Sequence, residues 1–313
     1  MLQLVGGLIY LLMGADLLVR GAVALARRAR VPPFVVALTV VALGTSLPEL
    51  VVAVQAALTG YPGIVLGNVV GSNVANVLLV AGAAAALYPV EPGEGSVRRD
   101  AGVMVLATLT FIGLSVRGGL GWLEGVLLLV GLAAALGLTA RDALAERKIV
   151  TAPIDWILGL PSRAGLIAVF LAGGLVGLPV GARLVVDGAV EIAGALGMSE
   201  TLVGLTIIAF STSLPELATT VVAAWRRETD MIVGTVIGSN TLNLLGIMGI
   251  AAIVGPGGIP VSPDVLTFDL PVMLAAALVL VAFVWRKRPL GRVTGVLLSL
   301  GYVAYVGVLF VRG

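Results

Sequence analysis

The sequence predicts an all-α polytopic membrane protein with ten transmembrane helices, arranged as two inverted five-helix repeats. Three observations lead there: too little charge for a water-soluble domain, basic residues confined to alternate connections, and a gapless alignment of the chain with itself. Of 313 residues, 59% are hydrophobic and 12% charged, where a soluble domain is about a quarter charged. The 42 glycines suit helices that pack in lipid through small residues. With no cysteine, disulfides and thiolate metal sites are excluded. With no histidine, the usual neutral-pH proton carrier and commonest transition-metal ligand is missing. A net charge of +2 leaves no nucleic-acid footprint, and the partner this composition calls for is the lipid bilayer.

A helix needs about 20 apolar residues to cross the ~30 Å hydrocarbon core. The first such stretch, 3–25, follows Met1-Leu2-Gln3 without the basic start of a signal peptide, so it is expected to remain as a helix. It ends at Arg27, Arg28 and Arg30. Spans 32–58 and 63–88 follow, then Arg98 and Arg99. Spans 100–116 and 119–140 precede Arg141, Arg147, Lys148 and Arg163. Spans 164–195 and 201–225 lead to Arg226 and Arg227. After spans 231–254 and 265–285 come Arg286, Lys287, Arg288 and Arg292, and span 290–311 closes the chain. Fifteen of the 19 basic residues thus share one side, Arg117 and Arg312 lie on the other, and Arg20 and Arg183 fall inside spans. Positive charge is retained in the cytoplasm, so both termini are expected outside, extracellular or periplasmic. A plasma or inner membrane is the expected location for so compact a chain.

Sliding the sequence by 167 residues aligns 36–80 with 203–247 at 20 identities in 45 positions. Thr45-Ser46-Leu47-Pro48-Glu49-Leu50 matches Thr212-Ser213-Leu214-Pro215-Glu216-Leu217, and Gly71-Ser72-Asn73-x-x-Asn76 matches Gly238-Ser239-Asn240-x-x-Asn243. The first repeat is 1–140, a cytoplasmic linker is 141–163, and the second repeat is 164–313. Five spans per unit is an odd number, so the second unit enters the membrane upside down. Inverted repeats of this kind characterise secondary transporters, with the site near the midplane.

Glu49 and Glu216 lie well inside the second and seventh spans, a placement costing at least ~2.5–3.5 kcal/mol and marking a functional candidate. A structural carboxylate would pair with a cation, but neither helix carries a basic residue nearby. Pro48 and Pro215 each remove a backbone donor and displace the carbonyl four residues earlier, that of Gly44 or Ser211. Beside these breaks Thr45, Ser46, Thr212 and Ser213 add hydroxyls. An ordinary proline kink satisfied by Ser and Thr accounts for one such helix, less well for two with glutamates. Ser72 and Asn76, like Ser239 and Asn243, are four residues apart on one helix face. Gly67-x-x-x-Gly71 and Gly234-x-x-x-Gly238 offer small surfaces for helix crossing. Asn73 and Asn240 are read as interhelical packing groups. An all-oxygen cluster with two carboxylates suits a hard cation such as Ca²⁺ better than zinc, which prefers His or Cys. Two carboxylates balance one Ca²⁺ or two Na⁺. Asp16 with Arg20, and Arg183 with Asp187, have i,i+4 spacing and read as salt bridges.

These motifs resemble the two alpha-repeats of the sodium/calcium exchanger branch, prokaryotic type, of the calcium/cation antiporter superfamily. The resemblance covers nearly the whole chain. It implies that the second, third, seventh and eighth helices form the ion-binding core, and that the first and sixth slide across it. It implies that Glu49 and Glu216 are shared calcium and sodium carboxylates. Thr45, Ser46, Ser72, Thr212, Ser213 and Ser239 would supply oxygens, with the backbone carbonyls of Ala42 and Ala209, while Asn76 and Asn243 close the middle. Many relatives carry aspartate where this chain has Asn243. That departure implies no potassium requirement and leaves open whether two or three Na⁺ exchange for one Ca²⁺. The short basic linker implies no cytosolic regulatory calcium-binding domain. No cofactor, no enzyme activity and no obligatory protein partner are expected; Ca²⁺ and Na⁺ are cargo. A proton/calcium antiporter of the same fold and a passive calcium channel are the alternatives, separated from the first reading by a sodium requirement and by the need for a counter-ion.

Overall fold

The computed structural model describes residues 2–28, 42–92, 97–145, 159–227 and 229–312. These residues are helical apart from two short strands, one isolated bridge and their connections. In chain order the helices are α1 (Leu2–Arg28), α2 (Ala42–Thr45), α3 (Leu47–Leu58), α4 (Pro62–Leu87), α5 (Val97–Ser115), α6 (Trp122–Ala145), α7 (Ala164–Leu196), α8 (Glu200–Thr212), α9 (Leu214–Arg226), α10 (residues 229–254), α11 (Val265–Trp285) and α12 (Arg292–Arg312). Among the described residues seven helices are long and apolar enough to cross a membrane, or eight if α8 and α9, bent by 43°, form one span. The chain is therefore a polytopic helical membrane protein. Residues 32–41 of the expected second span, and 146–158 of the expected linker, lie outside the described residues; 141–145 continue α6.

Two helices are interrupted where the Pro-Glu motifs predict a break, but the break falls at serine. Ser46 (φ −88°, ψ 5°) separates α2 from α3, and Ser213 (φ −82°, ψ 4°) separates α8 from α9. Pro48 and Pro215 belong to the first turn of the following helix, where a missing N–H costs no hydrogen bond. The glutamates thereby stand in first turns, Glu49 in α3 and Glu216 in α9. In α4 and α10, π-helical turns occupy Asn76–Ala81 and Leu242–Ile247; such turns recur at functional sites.

Glycine decides how the helices meet. α1 and α7 run antiparallel in backbone contact. A methyl group on Gly7 would lie 2.7 Å from the Val185 nitrogen, on Gly14 2.8 Å from that of Leu178, and on Gly21 3.0 Å from the Leu171 side chain. From the other side, Gly174 meets Leu18 at 2.6 Å, Gly181 meets the Leu11 nitrogen at 2.5 Å, and Gly188 meets the Leu4 nitrogen at 2.7 Å. Each contact is carried onto another by the 167-residue offset, so Gly7–Val185 is the counterpart of Leu18–Gly174. The seam has the form of a two-fold contact.

A second close crossing joins α4 to α8. A methyl on Gly67 would lie 2.5 Å from the Thr201 carbonyl oxygen, and on Gly71 2.6 Å from that of Leu205. Around this crossing the peripheral helices are tied by their connections. Strand β1 (Gly119–Leu120) pairs antiparallel with β2 (Ile259–Pro260), and Val90 and Leu290 exchange N–H···O bonds of 3.0 and 2.8 Å. The Arg20–Asp16 and Arg183–Asp187 ion pairs form within their own helices, at 2.8 and 3.7 Å.

Candidate cation site

Where α3 and α9 begin, the two halves of the chain exchange hydrogen bonds. Ser46 of the first half donates to Glu216 Oε1 of the second at 3.5 Å, and Ser213 of the second donates to Glu49 Oε1 of the first at 3.5 Å. Ser46 also lies 3.4 Å from Ser239 on α10. The 167-residue offset therefore relates two half-sites, each lending a hydroxyl to the other's carboxylate. Both glutamates are buried, and so are Ser46, Ser72, Asn76, Ala209, Thr212, Ser213, Ser239 and Asn243. Thr45 is half-buried at the end of α2, and Ala42 begins that helix.

Several of these polar atoms have nothing to bind. Glu49 Oε2, Glu216 Oε2, Ser72 Oγ, Asn76 Oδ1 and both amide atoms of Asn243 are buried without a hydrogen-bond partner. Burying an unpaired polar atom costs about 1–3 kcal/mol, more when it is charged, and most buried polar groups in proteins are paired. Among the described residues neither glutamate joins an ion pair. Two carboxylates with hydroxyl and amide oxygens beside them, and no nearby counter-charge, form a donor set of the kind hard cations take.

One member of the cluster is absent from the sequence reading. Asn68 on α4 is fully buried; its Nδ2 donates to the Glu49 carbonyl oxygen at 3.2 Å, and its Oδ1 accepts from Thr212 Oγ at 3.1 Å. It stands four residues before Ser72, so Asn68, Ser72 and Asn76 share a helix face. That spacing was the available signal. Asn73 and Asn240, read as packing groups, connect α4 and α10: Asn240 Nδ2 donates to the Asn73 carbonyl oxygen at 3.2 Å, and Asn76 Nδ2 donates to Asn240 Oδ1 at 3.1 Å.

Residues 1–140 and 166–311 match the family model described as sodium/calcium exchanger protein. The chain belongs to this family. Two relatives match over nearly their whole length. The putative antiporter CaxA of Alkalimonas amylolytica is 36% identical, covering 97% of this chain and 96% of its own length. The inner membrane protein YrbG of Escherichia coli is 34% identical over 98% of this chain and 95% of its own length. Among solved structures, the sodium-calcium exchanger NCX_Mj, soaked with Na⁺ and Sr²⁺, superposes with a TM-score of 0.66 at 32% identity, covering 97% of each chain. As a member of the exchanger family the chain is a membrane antiporter, and the cluster of buried oxygens at the Pro-Glu motifs is its candidate cation site.

Proposed function

We propose that this chain exchanges sodium for calcium across a plasma or inner membrane by alternating access, exporting calcium as sodium enters. The observation that carries the reading is the reciprocal pair of half-sites, with two buried carboxylates whose outer oxygens are uncommitted. Glu49, Glu216, Thr45, Ser46, Thr212, Ser213, Ser72, Ser239, Asn76 and Asn243, with the carbonyls of Ala42 and Ala209, form the proposed ligand set. Two carboxylates neutralise one Ca²⁺ or two Na⁺, so either cargo can relieve the charge of a site otherwise costly to carry across the membrane. The likeness to NCX_Mj, a sodium-calcium exchanger whose structure was solved after soaking with Na⁺ and Sr²⁺, supports this cargo assignment.

The proposed architecture is ten spans in two inverted repeats, 1–140 and 164–313, joined by a cytoplasmic linker at 141–163, with both termini outside. Antiparallel packing of α1 against α7, which occupy equivalent places in the two repeats, supports the inversion. The α1–α7 pair is the element proposed to slide across the core so that the site faces each side in turn. With three Na⁺ per Ca²⁺, one net charge crosses per cycle, worth ~2.3 kcal/mol per 100 mV, and an inside-negative potential drives calcium out. No potassium, cofactor or protein partner is required in this reading.

Proteoliposomes loaded with sodium and diluted into sodium-free buffer containing radioactive calcium test it, with voltage and pH clamped by ionophores. The reading predicts uptake that needs internal sodium and disappears in Glu49→Gln and Glu216→Gln. Uptake driven by a proton gradient alone would make the protein a proton/calcium antiporter. Calcium entry with neither gradient would make it a channel.

A further inference from the structure

Asn68 and Asn240 stand beside the proposed ligands without belonging to them. Both are buried, Asn68 fully and Asn240 to within 3% of its surface. An asparagine has a donor end and an acceptor end, and a backbone carbonyl can only accept. The Asn73 carbonyl on α4 therefore fixes the Nδ2 end of Asn240, at 3.2 Å, and Oδ1 must point the other way. There it meets Asn76 at 3.1 Å. Because this neighbour of Asn76 is an acceptor, Asn76 turns its own Nδ2 toward it, and Asn76 Oδ1 is left as the buried, uncommitted atom. A flipped Asn76 would offer an NH₂ group where a cation needs an oxygen.

The same device acts on Thr212. The Glu49 carbonyl fixes Nδ2 of Asn68 at 3.2 Å, which directs Asn68 Oδ1 at the Thr212 hydroxyl, 3.1 Å away. That hydroxyl has a single proton and, besides Asn68, further acceptors near it: the carbonyls of Ile208 at 3.0 Å and Ala209 at 3.4 Å, and the Glu49 carboxylate. The Ala209 carbonyl already accepts from the Ser213 N–H at 3.1 Å. When the Thr212 proton is given to Asn68, both Thr212 and Ala209 keep a lone pair for a cation. Given to Ala209, the proton removes one.

The second half of the chain lacks both arrangements among the described residues. Thr235 stands at the position equivalent to Asn68. Asn73 turns its Nδ2 back onto the Val69 carbonyl at 2.6 Å, and Asn243 is left with neither amide atom bonded. Among the described residues, this orienting arrangement is seen at Asn76 and Thr212.

We propose that Asn240 and Asn68 are positioning residues: anchored on backbone carbonyls, they turn the oxygen of Asn76 and the lone pairs of Thr212 toward the cation without binding it. The proposal rests on the cation-exchange reading and is tested by calorimetric titration of the purified protein with CaCl₂. Asn240→Ala should weaken calcium binding about tenfold, the scale of one lost interaction with a charge. In the Asn76→Ala background it should cost nothing further, because no amide is left to orient. Asn68→Ala should behave likewise against Thr212→Ala. A merely structural role would make the losses multiply, and losses that multiply, or an Asn240→Ala protein that binds calcium normally, would overturn the proposal. If Asn240→Ala fails to fold, Asn240→Ser, too short to bridge both partners, takes its place in the cycle. Wild-type protein that binds no calcium would overturn the exchange reading and this proposal together; wild-type binding with multiplying losses would overturn the proposal alone.

Discussion

The α4 and α10 helices and the α1–α7 pair are similarly apolar, yet they occupy opposite environments. Within their most apolar windows 89% of α4 and 72% of α10 is buried in the protein, against 28% of α1 and 22% of α7. In lipid, hydropathy does not distinguish a helix facing protein from one facing hydrocarbon, because both surroundings are apolar. What differs is the residues that interrupt the apolar run. The central helices carry Asn68, Ser72, Asn73, Asn76, Ser239, Asn240 and Asn243, all buried. The outer pair carries glycine at seven-residue spacing along its shared seam, and its ion-paired groups Asp16, Arg20, Arg183 and Asp187 are at least partly exposed. One region is specified by hydrogen bonds, the other by shape.

That contrast can be broken most sharply at the seam. A methyl group on Gly181 would lie 2.5 Å from the Leu11 nitrogen, and backbone cannot give way as a side chain can. Gly181→Ala should cost about 1–3 kcal/mol, the usual penalty of overpacking, lowering the melting temperature and slowing exchange while calcium affinity in the surviving protein stays near wild type. Gly6→Ala, where a methyl meets nothing within 4 Å, is the control and should change neither. Equal effects of the two substitutions would contradict the seam.

A smaller, chemical change is expected in the central region from Asn243→Asp. It adds a third carboxylate to the two of the proposed site, so protons should compete more strongly with the cation and uptake should fall more steeply as pH is lowered. Uptake measured from pH 8 to pH 6 in wild type and variant checks this; superimposable profiles would remove position 243 from the proposed site. The least effect is expected at Arg183→Ala. Its side chain is 75% exposed and its 3.7 Å contact with Asp187 lies on the outer helix. Exposed ion pairs contribute roughly 0–1 kcal/mol, so melting temperature and exchange should barely move. A loss of exchange there would assign the pair a part in transport.

Much of this was legible in the sequence, because membrane helices announce themselves by length and the two Pro-Glu and Gly-Ser-Asn motifs announce themselves by repetition. Where residues are described, helix ends lie within a few positions of those read from apolar runs. The placement of the breaks was less legible. Proline signals an interruption, but it is tolerated in a first turn, so the chain opens at Ser46 and Ser213, two residues earlier. Asn68 was hidden for a different reason: its counterpart is Thr235, and a comparison of the two halves rewards identity. The α1–α7 seam shows in the sequence only as shared glycines. Which helix those glycines face is decided by tertiary packing, and no local pattern encodes it.

The central claim is that both halves of the chain build one cation site. Equilibrium dialysis of purified protein against radioactive calcium, in wild type, Glu49→Gln and Glu216→Gln, tests it most directly. The account predicts one high-affinity Ca²⁺ site per chain, lost when either glutamate is replaced although each variant remains folded. Half of the bound calcium surviving in each single variant would mean two independent sites, one per repeat, and would contradict the shared site.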